Sequence, residues 1–314
     1  MLRRTLLYLS GQQQLEGFLR RNRLARGFAN RFVAGETLDE ALAAVRRLNA
    51  AGITASLDLL GESVRNEAAA RAMGSAYHDM LERIRAERLD ANVSVKLTAL
   101  GLDVSEELCV AVMQELLEYA RECRSFVRID MESSAYTERT LDLFENRFYP
   151  NHRENVGIVL QSYLYRTQED VALANALRAR VRLCKGAYME PPSVAYPDKA
   201  DVDDSYIRAM RVLLLEGNYP GIATHDENII EETKRFAREH DIEPARYEFQ
   251  MLYGVRRDLQ QSLVAGGYGL RVYVPFGTQW YPYLMRRLAE RPANVAFITG
   301  NVLREVVGAR RRRR

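Results

Sequence analysis

Cysteine is scarce in this chain. Cys109, Cys123 and Cys184 are the three present; their number is odd and no CxxC occurs. That excludes a disulfide framework and points to a reducing compartment, the cytoplasm. Histidine is equally sparse, with His78, His152, His225 and His240 scattered and no HExxH-like spacing, so no metal site is expected. No apolar run approaches ~18 residues, which excludes a transmembrane helix. The N-terminus lacks a full apolar segment and a small-x-small cleavage site, against a signal peptide. Neither a GxSxG elbow nor a carboxylate pair suited to glycoside work is present. A large charge excess is missing too. The net charge is +3, of which the arginines at 310–314 supply five, leaving the rest at −2. A nucleic-acid-binding body is therefore not expected. The tail reads as a solvated end, with an anionic membrane surface as the alternative.

What is present is a rhythm. Residues 1–50 read as an N-terminal helical arm, amphipathic and Arg-rich over 1–35. Thr37-Leu-Asp-Glu40 then forms a capping box, opening a helix with Ala41, Leu42, Val45 and Leu48 on one stripe. Gly52 ends it. From there eight short apolar runs alternate with helical patterns, at 53–60, 93–97, 126–131, 156–161, 181–185, 221–225, 247–252 and 270–274. Helices are expected to open near Ser63, Ser105, Thr167 (a capping-box pattern, TQED) and Asp203. Strand–helix alternation implies right-handed βαβ units and a parallel sheet. Eight units over roughly 250 residues suit an α/β fold of the closed (β/α)8 type. An open doubly wound sheet is the other candidate, but no GxGxxG follows the first strand. Met189 to Val202, with three prolines, breaks the rhythm and reads as a lid.

In such barrels chemistry sits at the C-terminal strand ends. Read in order, those ends carry Glu62, Lys96, Asp130, Gln161, Arg182 with Lys185, Thr224 with His225, Gln250 and Tyr273. Arg286 and Arg287 follow on a final helix. Taken alone, the arginine pair resembles a solvated helix face; with the other ends in phase it reads as an anion clamp. Lys96 and Asp130, on neighbouring strands, are expected to form an ion pair on the cavity floor. The set suits an anionic cofactor and a small anionic substrate.

The motifs VSVKLT, RIDMES, VLQSY, RLCKGAY, ATHD, EFQMLYG, RVYVPFG and YLMRRLAE, over roughly residues 50–292, resemble the proline dehydrogenase family, in particular its short monofunctional bacterial members. The resemblance implies a distorted TIM-like barrel over 51–292, non-covalent FAD at its C-terminal face, and a final helix over the mouth. A C-terminal helix and Arg-rich tail would occupy 293–314. The implied reaction is oxidation of L-proline to Δ1-pyrroline-5-carboxylate by hydride transfer to flavin. Electrons would pass to a quinone, through peripheral contact with the inner face of the cell membrane. By the same resemblance Arg286, Arg287 and Lys96 hold the substrate carboxylate, and Tyr273, Tyr283 and Leu252 wall the ring. Asp130 orders Lys96, Arg182 lies near the reactive flavin nitrogen, and Glu62 gates the mouth through Arg286. FAD contacts fall on Gln161, Arg182, Lys185, Gly186, Ala187, Tyr188, Thr224, His225, Gln250 and Glu290. Tyr283 crowds the ring and favours unsubstituted proline over 4-hydroxyproline. Two positions depart from the family pattern: Met189 stands where Trp is usual, and Asp226 where Asn is common. Asp226 is left out of the site because a carboxylate would repel FAD phosphates. The rival chemistries are a Schiff-base aldolase-type barrel using Lys96 or Lys185 and a non-enzymatic binding barrel or membrane adaptor.

Overall fold

The computed structural model describes residues 29–290, without the side chains of 289 and 290. Residues 1–28 of the expected arm, the Glu290 side chain and the segment 293–314 lie outside the described residues. Eight parallel strands close into one barrel in sequence order, with β8 returning to pair with β1. The strands are β1 (Thr54–Leu59), β2 (Ala91–Val95), β3 (Val127–Ile129), β4 (Val156–Gln161), β5 (Arg180–Cys184), β6 (Gly221–Ala223), β7 (Glu248–Leu252) and β8 (Leu270–Phe276). The helices are α1 (Leu38–Ala50), α2 (Glu67–Ala86), α3 (Glu106–Glu122), α4 (Ser134–Leu143), α5 (Tyr149–His152), α6 (Thr167–Ala176), α7 (Lys199–Glu216), α8 (Glu227–Glu239), α9 (Arg257–Ala265) and α10 (Trp280–Glu290).

Each strand uses its two faces differently. Leu57, Val93, Val95, Ile129, Ile158, Leu183, Phe249 and Val272 lie fully buried in the main apolar cluster shared with the helices. The intervening positions point into the lumen and are polar on most strands: Ser56 and Asp58, Ser94, Arg128, Arg182, Glu248 and Gln250 are all buried. At about 1.5–3 kcal/mol per buried aliphatic side chain, the outer face supplies most of the barrel's apolar stabilisation. The lumen is held by hydrogen bonds and ion pairs instead of layers of branched aliphatics.

The capping box at Thr37 forms as expected, with Thr37 Oγ1 accepting from the Glu40 N–H and the Glu40 carboxylate accepting from the Thr37 N–H. Ala41, Leu42 and Val45 are buried. The pattern at Thr167 makes no such box. Arg166 is its cap, the Thr167 hydroxyl donates to the Gln161 and Leu164 carbonyls, and Asp170 accepts from Arg166. A threonine buried against a strand end finds carbonyls before it finds the orphan N–H groups of its own helix. Of the segment 1–35 read as helical, only 29–35 is described, and there Ala29 is helical and a turn follows. Strand ends also differ by a few residues. β2 stops at Val95 and β3 at Ile129, so Lys96 and Asp130 lie one residue past their strands, and β6 stops at Ala223. α2 starts at Glu67, four residues after the expected opening, and α7 at Lys199, four residues before it, which shortens the strap after β5 to 185–198.

α10 crosses the barrel mouth. Its buried Trp280, Tyr281, Leu284, Met285 and Leu288 form a second apolar cluster with Ala29, Phe32, Val33 and Val255, against which Leu252 and Tyr273 pack. The N-terminal segment is tied to the end of β8 by Ala34 N–H to the Pro275 carbonyl (2.9 Å) and Gly277 N–H to the Gly35 carbonyl (3.0 Å). Two stretches far apart in sequence thereby roof the same opening.

Candidate active site

A cavity of about 1310 Å³ opens at the C-terminal face of the barrel. Ligand pockets run ~300–1,000 Å³, so this one has room for a dinucleotide and a small second molecule. Nine lysines and arginines line it against five carboxylates, an excess of positive charge that favours anionic ligands.

The floor differs from the expected Lys96–Asp130 pair. Lys96 Nζ instead donates to Asp58 Oδ1 at 3.0 Å, and both side chains are buried. Asp130 is engaged elsewhere: Oδ1 accepts from Arg182 Nη1 at 2.7 Å and Oδ2 from the Tyr273 hydroxyl at 2.8 Å. Register alone does not separate the expected partners, because continued one residue past β2 and β3 it sets Lys96 level with Asp130; both Asp130 oxygens are instead taken by Arg182 and Tyr273 reaching across the lumen. The β1 register brings Asp58 level with Ser94, one pleat below Lys96, within reach of its amine. Asp130 still acts on Lys96 through space. Burial opposes the ammonium charge, but Asp58 and Asp130 outweigh it and hold the Lys96 pKa well above its ordinary value. Asp58 is pushed up from the usual carboxylate range by burial, and further by the Asp130 charge, although the Lys96 ammonium pulls the other way.

Arg182 is the most constrained group in the lumen. Nη1 donates to Asp130 and to Ser94 Oγ (3.1 Å), Nη2 to Ser56 Oγ (3.3 Å) and Nε to Gln250 Oε1, and the guanidinium lies 5.3 Å from the Tyr273 ring centre. With its Oε1 committed to Arg182, the Gln250 amide donates from Nε2 to Glu248 (2.6 Å), which in turn pairs with Arg271 (2.7 Å). A polar relay thus runs from the mouth to the barrel bottom. Asp58 and Glu248 were absent from the expected site. The signal for both was the alternation of polar and apolar residues in TASLDL and EFQML, which had been read as apolar runs.

At the β5 end Lys185 sits between Asp226 (2.8 Å) and Asp203 (2.5 Å), and Lys199 joins the same two carboxylates. Burial would raise the Asp226 pKa, but Lys185 and Lys199 hold it below the ordinary value. Its charge is therefore compensated locally, and Asp226 lines the cavity it had been excluded from. Gly186, with φ +116°, lies so close to Tyr163 that a Cβ would stand 2.5 Å from the ring. Only glycine lets the backbone of Gly186 and Ala187 line the cavity here. Gln161 is buried in the wall with its Oε1 lacking a hydrogen-bond partner among the described residues. Thr224 accepts the Asp226 N–H, and His225 Nε2 accepts the Leu252 N–H at 2.9 Å, which leaves a ring proton on Nδ1. Met189 is 57% exposed.

Over the mouth, Arg286 pairs with Glu62 (3.2 Å) and lies 5.9 Å from the Tyr188 ring centre, while Arg287 lies 5.1 Å from that of Tyr283. Burial raises and Arg286 and Lys96 lower the Glu62 pKa, with a net fall. Arg286, Arg287, Tyr188, Tyr273, Tyr283 and Leu252 all border the main cavity. Glu62 borders a small neighbouring pocket of about 20 Å³, which Lys96 and Arg286 also line.

The family profile described as Proline dehydrogenase matches residues 41–300. Proline dehydrogenase 1 of Bacillus subtilis subsp. natto is 42% identical over 305 residues, covering 97% of this chain and 100% of its own. Proline dehydrogenase of Deinococcus radiodurans is 41% identical over 307 residues, covering 97% of this chain and 98% of its own. Among solved structures, proline utilization A from Bdellovibrio bacteriovorus inactivated by N-propargylglycine superposes with a TM-score of 0.80 at 27% identity, over 88% of this chain and 34% of that one. With profile, full-length relatives and barrel in agreement, the chain belongs to the proline dehydrogenase family.

Proposed function

We propose that this chain oxidises L-proline to Δ1-pyrroline-5-carboxylate with FAD held at the C-terminal face of the barrel, and passes the electrons to a membrane quinone. Membership of the family makes it an oxidoreductase of proline catabolism. The observation that carries the finer reading is the pair Arg286 and Arg287, placed by α10 over a cavity floored by Lys96, Asp130, Arg182 and Tyr273. The residues present fit a flavin dinucleotide. Cations exceed anions around the cavity, Gln161 Oε1 awaits a donor, and the Gly186 backbone offers a surface no side chain could share.

FAD, when bound, supplies the two-electron acceptor for removing a hydride from the proline carbon next to nitrogen, so no protein nucleophile is needed. The chain supplies position and electrostatics. Arg286 and Arg287 hold the carboxylate by charge-assisted hydrogen bonds, and Lys96 adds a third positive charge. Tyr273, Tyr283 and Leu252 wall the ring and exclude water. Arg182, clamped by Asp130 and Gln250, fixes a cation where negative charge accumulates on reduction. Gln161, Lys185, Gly186, Ala187, Tyr188, Thr224, His225 and Gln250 border the cofactor, and Glu62 gates the mouth through Arg286. Glu290 is assigned to the cofactor by its family position alone. The quinone contact is proposed from the family likeness alone. A Schiff-base lysine requires a lowered pKa, and Lys96 is shifted the other way.

Purified protein resupplied with FAD should show flavin absorbance that proline bleaches without oxygen. Protein that takes up no flavin, or flavin that proline leaves oxidised, overturns the reading.

A further inference from the structure

We propose that Thr98 and Glu132 form a pin that holds the loop carrying Glu62, and that both are positioning residues for capture of proline. The inference rests on the reading of Arg286 as part of the substrate clamp. Neither residue borders the cavity, and no described cation pairs with Glu132. A buried carboxylate without a cation is costly unless its hydrogen bonds matter. Glu132 accepts two, both from Thr98: the hydroxyl at 2.7 Å and the backbone N–H at 3.2 Å. Thr98 is fully buried and Glu132 is 5% exposed.

A hydroxyl has one proton to donate. Because Glu132 takes it, the Thr98 Oγ1 lone pairs are left to accept, and Oγ1 accepts the Ser63 N–H at 3.1 Å. The next residue adds a second tie, Val64 N–H to the Thr98 carbonyl at 3.2 Å. Ser63 needs this support. Its φ is +55°, a left-handed conformation that a non-glycine residue keeps only when its surroundings impose it. Glu62, directly before it, holds Arg286 at 3.2 Å. The order of action is therefore Glu132 on the Thr98 hydroxyl, the hydroxyl on the Ser63 backbone, and the backbone on the direction of the Glu62 carboxylate. Removing the hydroxyl releases the turn and lets Arg286 lose its alignment, although every group that touches proline is intact.

The test is Thr98→Val, nearly the same shape without the hydroxyl, beside Thr98→Ser, which keeps it, and Glu132→Gln. In FAD-loaded protein, Thr98→Val and Glu132→Gln should raise the proline KM roughly 3- to 10-fold, the range lost with one hydrogen bond, while kcat stays within about twofold. Thr98→Ser should return KM to the wild-type value. A second readout needs no turnover: trypsin should cut after Arg65, exposed on the same loop, faster in Thr98→Val than in wild type, with the other cleavage products unchanged. Wild-type KM and Arg65 cleavage in Thr98→Val, or no rescue by Thr98→Ser, overturn the pin. If proline fails to bleach the wild type, the functional reading falls and the Arg65 contrast alone decides the pin.

Discussion

At the scale of single residues, the two arginines of α10 divide their work. Arg286 is tied to Glu62 and faces Tyr188, whereas Arg287 stacks beside Tyr283. Arg287→Met should raise the proline KM about 10-fold or more, as expected for losing a charged contact of roughly 1.5–3 kcal/mol, with flavin still bound. Steady-state kinetics and the flavin spectrum check it. Glu62 makes a pH-dependent contribution. Its folded pKa is depressed, since Arg286 and Lys96 outweigh burial, so the stability it adds is present above the ordinary 4.5 and is lost as pH falls through the depressed value. The melting-temperature difference between wild type and Glu62→Gln should be constant above about pH 4.5 and shrink below it. Most of these residues were legible from the motifs. The Glu62–Arg286 pair was legible with them, whereas the Lys96 partner was not, because Arg182 and Tyr273 reach across the lumen to take Asp130 and leave Lys96 to Asp58.

At the scale of elements, the strap after β5 is held by side-chain ties. It leaves the strand through Gly186 and is tied by the Lys185, Asp203 and Asp226 cluster and by Glu190, which accepts from Ser134 N–H (2.8 Å) and the Tyr163 hydroxyl (3.2 Å). Gly186→Ala would force a Cβ into the Tyr163 ring at a φ of +116°. Strain and overpacking of about 1–3 kcal/mol each should lower the melting temperature by several degrees and weaken flavin binding, read by thermal shift and flavin titration. Strands and helices were visible as alternating patterns, and the Thr37 box was read correctly from four residues. The Thr167 box failed because its hydroxyl meets the carbonyls of Gln161 and Leu164, a contact set by the preceding strand end and invisible in TQED.

At the scale of the whole molecule, an apolar shell surrounds a charged lumen. Arg128 illustrates the cost. Its Nη1 donates to the Ile158 and Arg180 carbonyls, its Nε has no partner among the described residues, and burial, with Arg182 nearby, drives its pKa well below the ordinary value. Arg128→Met should therefore be neutral or stabilising, by up to roughly 1–4 kcal/mol if it follows the replacement of buried charges by apolar side chains. Ile158→Ala, one strand over on the apolar face, should cost about 2–5 kcal/mol. Urea denaturation of the two variants separates the layers; equal losses would contradict the division. Eight repeats of strand and helix, with polar groups at the strand ends, are local in sequence, and local pattern sufficed for the barrel and for most cavity residues. Pairing was decided only in three dimensions: Lys96 with Asp58, Asp130 with Arg182 and Tyr273, and Glu132 with Thr98. Barrel closure decides which side chains can reach one another across the lumen, and the strength of a buried ion pair or hydrogen bond depends on the separation, angle and burial that result.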